Sequence, residues 1–319
     1  MIKRTFLAVL LSFSLSLPLA ATDAPNSLLT AGRVDEAIDS LNTRIASNPR
    51  DAEAINQLCR AYFQYGDWDR AESRCKKAVE MQPDNSSFHR WLGRVYGEKA
   101  SRATLPIGLA LKTRDEFQRA AQLDPGDANA GVDVAEYYLE APGMMGGGKD
   151  KAREQAKIIG KVSPAQEHWV YARLAEKEKD FAAAESEYRK MVEVGGGGGG
   201  AEAWLNLAFF YRNQKRYPDM EQAFVKMNQA PMPAREVLFE AANSLFRTGR
   251  AFTFAIELLK RYFADGPVEE APAFKAHYLL GQLLEKQGDK AGAASEYRAA
   301  LAMARNYEPA RESLKRVAP

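Results

Sequence analysis

The residues best equipped for chemistry in this chain are two cysteines, three histidines and one glycine-rich loop. Cys59 and Cys75 could pair as a disulfide, act as thiolates, or help to hold a metal. A metal site needs more ligands than two, and His89, His168 and His277 are scattered along the chain. No HExxH, CxxC or Ser–His–Asp order is present. Residues 143–150 read GMMGGGKD, close to the phosphate loop G-x-x-x-x-G-K-[ST]. That motif ends on a hydroxyl that ligates magnesium, whereas Asp150 would set a negative charge beside the phosphates. The preceding DVAEYYLEAP reads as helix where the motif needs a strand. The segment is therefore expected to be a turn between helices, at most an anion or partner contact through its glycine N–H groups and Lys149. Carboxylates are many, but no pair stands apart from solvated helix faces. These absences point to a non-enzyme with no cofactor and no metal.

The elements that would carry such residues are helical. Arms rich in Ala, Leu, Glu, Lys and Arg suit helices, and long alternating runs of Val, Ile and Thr are missing. Residues 1–21 read as a secretory signal. Lys3 and Arg4 precede an apolar stretch, Phe6 to Leu17, that is too short for a comfortable span, and cleavage is expected after Ala21. Retention as an anchor is the alternative. With the leader removed, 42 basic residues face 42 acidic ones. Neutrality gives no support for nucleic acid or an anionic membrane as partner. The mature chain, residues 22–319, is expected to be periplasmic or secreted, with no membrane span.

A period organises it. Ala37 to Ala71 is 34 residues, and so is Pro49 to Pro83. Within Ala52 to Asn85, Leu58, Cys59 and Tyr62 mark a first arm, Gly66 a turn, Ala71, Cys75 and Ala78 a second arm, and Pro83 the exit. The markers return as Leu92, Gly93 and Tyr96; as Trp204, Leu207, Ala208 and Tyr211; and as Leu280, Gly281 and Tyr297. By this order and spacing the chain resembles the tetratricopeptide repeat (TPR) family. The resemblance covers nearly all of the mature chain. It implies an all-α, right-handed α-solenoid of about 7–8 helix–turn–helix repeats, with a polar capping helix near Glu308 to Val317. The first repeat is truncated and consists mostly of Val34 to Ser47. The third is 8 residues longer than the period, about one extra helical turn on each arm, with Pro106 opening its second helix. The glycines at 195–200 exceed the usual turn by only two residues, so they suggest a hinge within one solenoid.

The repeat frame also assigns sites. Cys59 and Cys75 fall at repeat positions equidistant from one turn, which in an exported chain suggests a disulfide pinning that hairpin. Packing as two small apolar residues is the alternative. In this family the first helices line a concave groove. The matching positions are Asn56, Arg60, Phe63 and Gln64; Arg90, Arg94 and Glu98; Val132, Glu136 and Glu140; Leu205, Phe209, Arg212 and Asn213; and Tyr278, Gln282 and Lys286. Arg60, Arg90 and Arg94 form a basic run that could take a partner's carboxylate or phosphate, or could be ordinary surface arginines. The expected function is a protein-interaction scaffold or adaptor of the cell envelope, holding a client peptide or helix. The alternatives are a self-assembling envelope component and a binding module for a polysaccharide or anionic small molecule. Client and oligomeric state are not specified by the sequence.

Overall fold

The structure is a computed structural model that describes residues 24–194, 200–232 and 234–317. The leader and the glycines at 195–199 lie outside the described residues. Among the described residues seventeen α-helices follow one another: α1 (Pro25–Thr30), α2 (Val34–Ser47), α3 (Ala52–Tyr65), α4 (Trp68–Met81), α5 (Ser86–Arg102), α6 (Ile107–Leu123), α7 (Ala128–Glu140), α8 (Lys149–Gly160), α9 (Pro164–Glu178), α10 (Phe181–Val194), α11 (Gly200–Asn213), α12 (Tyr217–Gln229), α13 (Glu236–Thr248), α14 (Phe252–Asp265), α15 (Ala273–Lys286), α16 (Lys290–Met303) and α17 (Glu308–Val317). Among the described residues the only β pairing is an isolated bridge, Val268 with Ala271. None of their helices is long and apolar enough to cross a membrane.

Successive helices pack as hairpins, α3 on α4 through α15 on α16, and each hairpin leans on the next. The chain is thus an all-α repeat solenoid. Local chemistry sets the helix starts. Asp51, Asp67, Asn85 and Asp289 each accept a hydrogen bond from a first-turn N–H, satisfying a donor that the helix leaves orphaned. Small residues set the approach of the arms. A Cβ on Gly281 would meet the Tyr297 ring at 2.5 Å, so the glycine lets α15 and α16 close around a fully buried tyrosine. In the third hairpin both helices run 17 residues, against 14 in α3 and α4, with Pro106 at the cap of α6. Gly143–Met145 forms a short 3-10 turn leading into α8, and no strand precedes it.

One feature of the packing has no counterpart in the repeat pattern: the two ends of the solenoid meet. Leu28, Leu29 and Ala61 share a buried cluster with Phe274, Ala300, Ala304 and Ala310. At its rim Arg305 pairs with Asp35 at 3.0 Å and with Asp39 at 3.3 Å, and the Asn306 N–H donates to the Tyr65 hydroxyl at 3.0 Å. Helix α17 covers α16 as the expected cap, but the N-terminal arm is covered as well, by the C-terminal repeats. Gly32 sits on this seam with φ +70°, and a Cβ there would lie 2.4 Å from the Ala273 nitrogen. Gly32→Ala should therefore force the ends apart and cost about 1–3 kcal/mol, as overpacking does. Urea unfolding measures this, and an unchanged midpoint would mean that the ends do not touch in solution.

Candidate partner-binding cavity

Closure of the ends turns an open groove into a cavity of about 700 Å³. Its walls come from α3, α5, α6 and α7 on one side and from residues 269–275 on the other. Phe63, Trp91, Phe117 and Tyr137 supply aromatic surface, while Arg94, Glu136, Glu270 and Lys275 supply charge. A larger, more open cleft of about 880 Å³ lies beside Trp68 and Arg305. It contains none of the expected groove residues, so the smaller cavity is the better candidate.

The cavity brings together Phe63, Gln64, Arg94 and Glu136, with Glu98 and Glu140. Phe63 meets Trp91 edge-on, with ring centroids 5.4 Å apart. Arg94 lies 4.9 Å from the centre of the Trp91 ring and Arg60 lies 5.4 Å from it, a cation–π arrangement. Glu136 is open to solvent and makes no ion pair among the described residues, yet protein surrounds it. That enclosure pushes its pKa up, against the pull of Arg173. The same desolvation lowers the pKa values of Arg94 and Lys275.

Other expected groove residues lie elsewhere. Asn56 is only 1% exposed, and neither end of its amide has a hydrogen-bond partner. Leu205 is buried in the large core that joins α11 to α13 and α14. The expectation that these two face an open groove is corrected: the repeat position aims inward, but neighbouring helices close over them. Phe209 is half-buried, edge-on to Phe224, with the Arg212 guanidinium 4.6 Å from its ring centre. Arg212 also donates to Ser244 at 3.3 Å, and Asn213 is exposed. Tyr278 packs edge-on to Tyr307, and Gln282 donates to the Tyr278 hydroxyl at 3.2 Å. Gln282 and Lys286 border a separate cleft with Arg316.

The basic run is largely neutralised. Arg90 pairs with Asp133 at 2.5 Å. Arg60 donates through Nε to Glu269 at 2.7 Å and through Nη2 to the same carboxylate. Burial alone would lower the Arg60 pKa, but the hydrogen bond and charge of Glu269 together with the charges of Glu53 and Glu270 outweigh it, and the net shift is upward. Gln64 is also engaged, donating to the backbone oxygens of Leu29 and Glu269 at 3.2 and 3.4 Å. The expectation that Arg60 and Arg90 await an outside anion is thus corrected for this closed form: acidic residues of the chain itself occupy them. Sequence reasoning missed Glu269, Glu270 and Lys275, because they sit between or beyond the positions that the repeat marks.

Cys59 on α3 and Cys75 on α4 are joined, with an S–S distance of 2.02 Å and Cα atoms 5.3 Å apart. No group of three or more His, Cys, Asp or Glu among the described residues is placed to hold a metal.

A row of carboxylates walled in part by protein continues along α11 and α13. Burial raises the pKa values of Glu202, Glu236 and Glu240, and for Glu240 this outweighs the pull of Arg212. A raised carboxyl pKa means that the folded state prefers the proton, so the ionised form weakens the fold at neutral pH. Glu240→Gln should raise the melting temperature at pH 7.5 by up to about 2 °C. The gain should vanish by pH 4, where the glutamate is itself protonated. Melts at the two pH values check this, and a gain independent of pH would contradict it.

Two segments match models of the tetratricopeptide repeat, residues 28–95 and 239–308. Over 109 residues the chain is 31% identical to the cellulose synthase operon protein C of Escherichia coli (strain K12), a match that covers 31% of this chain and 9% of that protein. A putative protein of the same description from Escherichia coli O157:H7 matches equally. The chain therefore spans only a small part of the curated relatives it resembles. Among solved structures, yeast Tom70 superimposes with a TM-score of 0.54 at 14% identity, covering 96% of this chain and 65% of that one. A thermophilic TPR protein of Thermus thermophilus gives 0.47 at 20% identity, covering 62% and 100%. At 14% identity the likeness to Tom70 shows the fold alone.

Proposed function

From the premise that this chain is a tetratricopeptide-repeat protein with an all-helical solenoid fold, we propose that it is a non-enzymatic scaffold that holds a segment of a partner protein against its inner wall. The observation that carries this reading is the cavity. It joins aromatic surface to three charges, Arg94, Glu136 and Lys275, that have no ion-pair partner among the described residues. Aromatic anchors beside unpaired charges are what a protein interface uses to gain both affinity and orientation. We place it in the cell envelope, periplasmic or secreted. The basic and apolar leader supports this placement, and so does a cysteine pair suited to an oxidising compartment.

Co-purification from envelope extract tests the reading. A partner retained by the wild type should be lost with Phe63→Ala/Glu136→Lys and kept with Val225→Glu, a change at an exposed position away from the cavity. Equal retention by both variants would sink it. A second reading, binding of a polysaccharide, draws on the likeness to a cellulose synthase operon protein and on the cavity's aromatic wall. Quenching of Trp91 fluorescence by cello-oligosaccharides would favour it. Self-assembly, the remaining alternative, predicts a mass in light scattering that rises with concentration.

A further inference from the structure

Residues 266–273, GPVEEAPA, link α14 to α15 and reach across the seam onto α3. The linker is firmly held at its base. The Val268 N–H donates to the hydroxyl of fully buried Tyr262 at 3.0 Å, and that hydroxyl donates to the Ala271 carbonyl. Its tip presents Glu269, only 8% exposed, to Arg60, while the Glu269 carbonyl accepts from Gln64. Arg60 and Gln64 are two of the positions where the repeat frame places a bound peptide. A short acidic turn, closed by the Val268–Ala271 bridge and held through one carboxylate and one backbone carbonyl, therefore already sits in the first part of the groove.

We propose that residues 266–273 act as a built-in ligand, and that the partner at this end of the groove is an acidic peptide segment that must displace them. This rests on the inner-wall reading above and names the chemistry of the occupant there. The match is one of charge and form. The Arg60 fork takes a carboxylate in two bonds, and the Gln64 amide takes a main-chain oxygen beside it. A segment tethered in this way competes at an effective concentration on the order of 1 mM. A free peptide that binds the open groove with a Kd of about 0.1 mM is then weakened about tenfold in the closed chain.

The probe is a capped, fluorescein-labelled synthetic peptide spanning residues 266–273, followed by fluorescence anisotropy at low salt. Glu269→Gln should bind it up to about tenfold more tightly than the wild type, and adding Arg60→Glu should abolish the gain. Equal binding by wild type and Glu269→Gln, or a gain that survives Arg60→Glu, overturns the proposal. If Glu269→Gln loses its helical circular dichroism, the reversed pair keeps the test open. A peptide carrying Arg in place of both glutamates should bind Arg60→Glu up to about tenfold more tightly than Arg60→Glu/Glu269→Arg, and equal binding again overturns it. A partner still lost with Phe63→Ala/Glu136→Lys while the peptide shows no preference removes this proposal and leaves the inner-wall reading standing. Loss of neither partner nor preference removes the wider reading instead.

Discussion

Replacing Arg60 by alanine is expected to cost about 3 kcal/mol of stability, while the double change Arg60→Met/Glu269→Leu is expected to cost less than about 1 kcal/mol. The asymmetry follows from burial. The Arg60 and Glu269 side chains are 17% and 8% exposed, so removing the arginine leaves an almost enclosed carboxylate without its counter-charge. Removing both charges together replaces an ion pair by apolar packing, and the desolvation of two ions is recovered. Loss of the arginine also strips one cation from the Trp91 ring. The contact joins residues 209 positions apart, so its loss is felt as separation of the two ends and not as fraying of one repeat. Urea midpoints for the wild type, the single and the double variant measure both effects. A harmless Arg60→Ala, or a double variant as weak as the single, would show that the seam is not closed as described.

The second large effect concerns Cys59 and Cys75. Changing both to alanine is expected to lower stability by about 3 kcal/mol, the chain-entropy value for a loop of about 15 residues. Here the sequence separation is 16, and both sulfurs lie in a core with Leu58, Tyr62, Leu92 and Tyr96. Because both cysteines are fully buried, a reductant should act slowly under native conditions and quickly once denaturant opens the hairpin. Alkylation followed by mass spectrometry reports the thiol count directly. Two free thiols in protein taken from its own compartment would remove the bond, and with it one support for an exported chain.

Much of the fold was legible because its physics is local and periodic. Gly281 and Tyr297 could be placed from spacing alone, since a small residue opposite a large one is the repeat's own packing rule. The extra turns of α5 and α6 followed from Pro83 and Pro125, which bracket a hairpin of known period. The candidate site was legible only in part. Repeat positions do bring Phe63, Gln64, Arg94 and Glu136 to one wall. They could not show that Asn56 and Leu205 are covered, because what covers them is set by tertiary contact. Nor could they show Glu269 against Arg60. That pairing depends on how far the solenoid curves, a sum of small rotations over many repeats. The acidic linker has no repeat position to announce it. The early arginines therefore read as a basic run, although the folded chain supplies counter-charges for Arg60 and Arg90 from Glu269 and Asp133.

The central claim is that the inner wall is where a partner is held. Site-specific photo-crosslinking in intact cells tests it most directly, with a benzoylphenylalanine placed at Glu136 in one strain and at Val225 in another. Both positions are exposed, but only the first lines the cavity. Light is predicted to give a discrete adduct from the Glu136 position that disappears with Phe63→Ala, and none from the Val225 position. An adduct from Val225 alone, or the same adduct from both, would contradict the account.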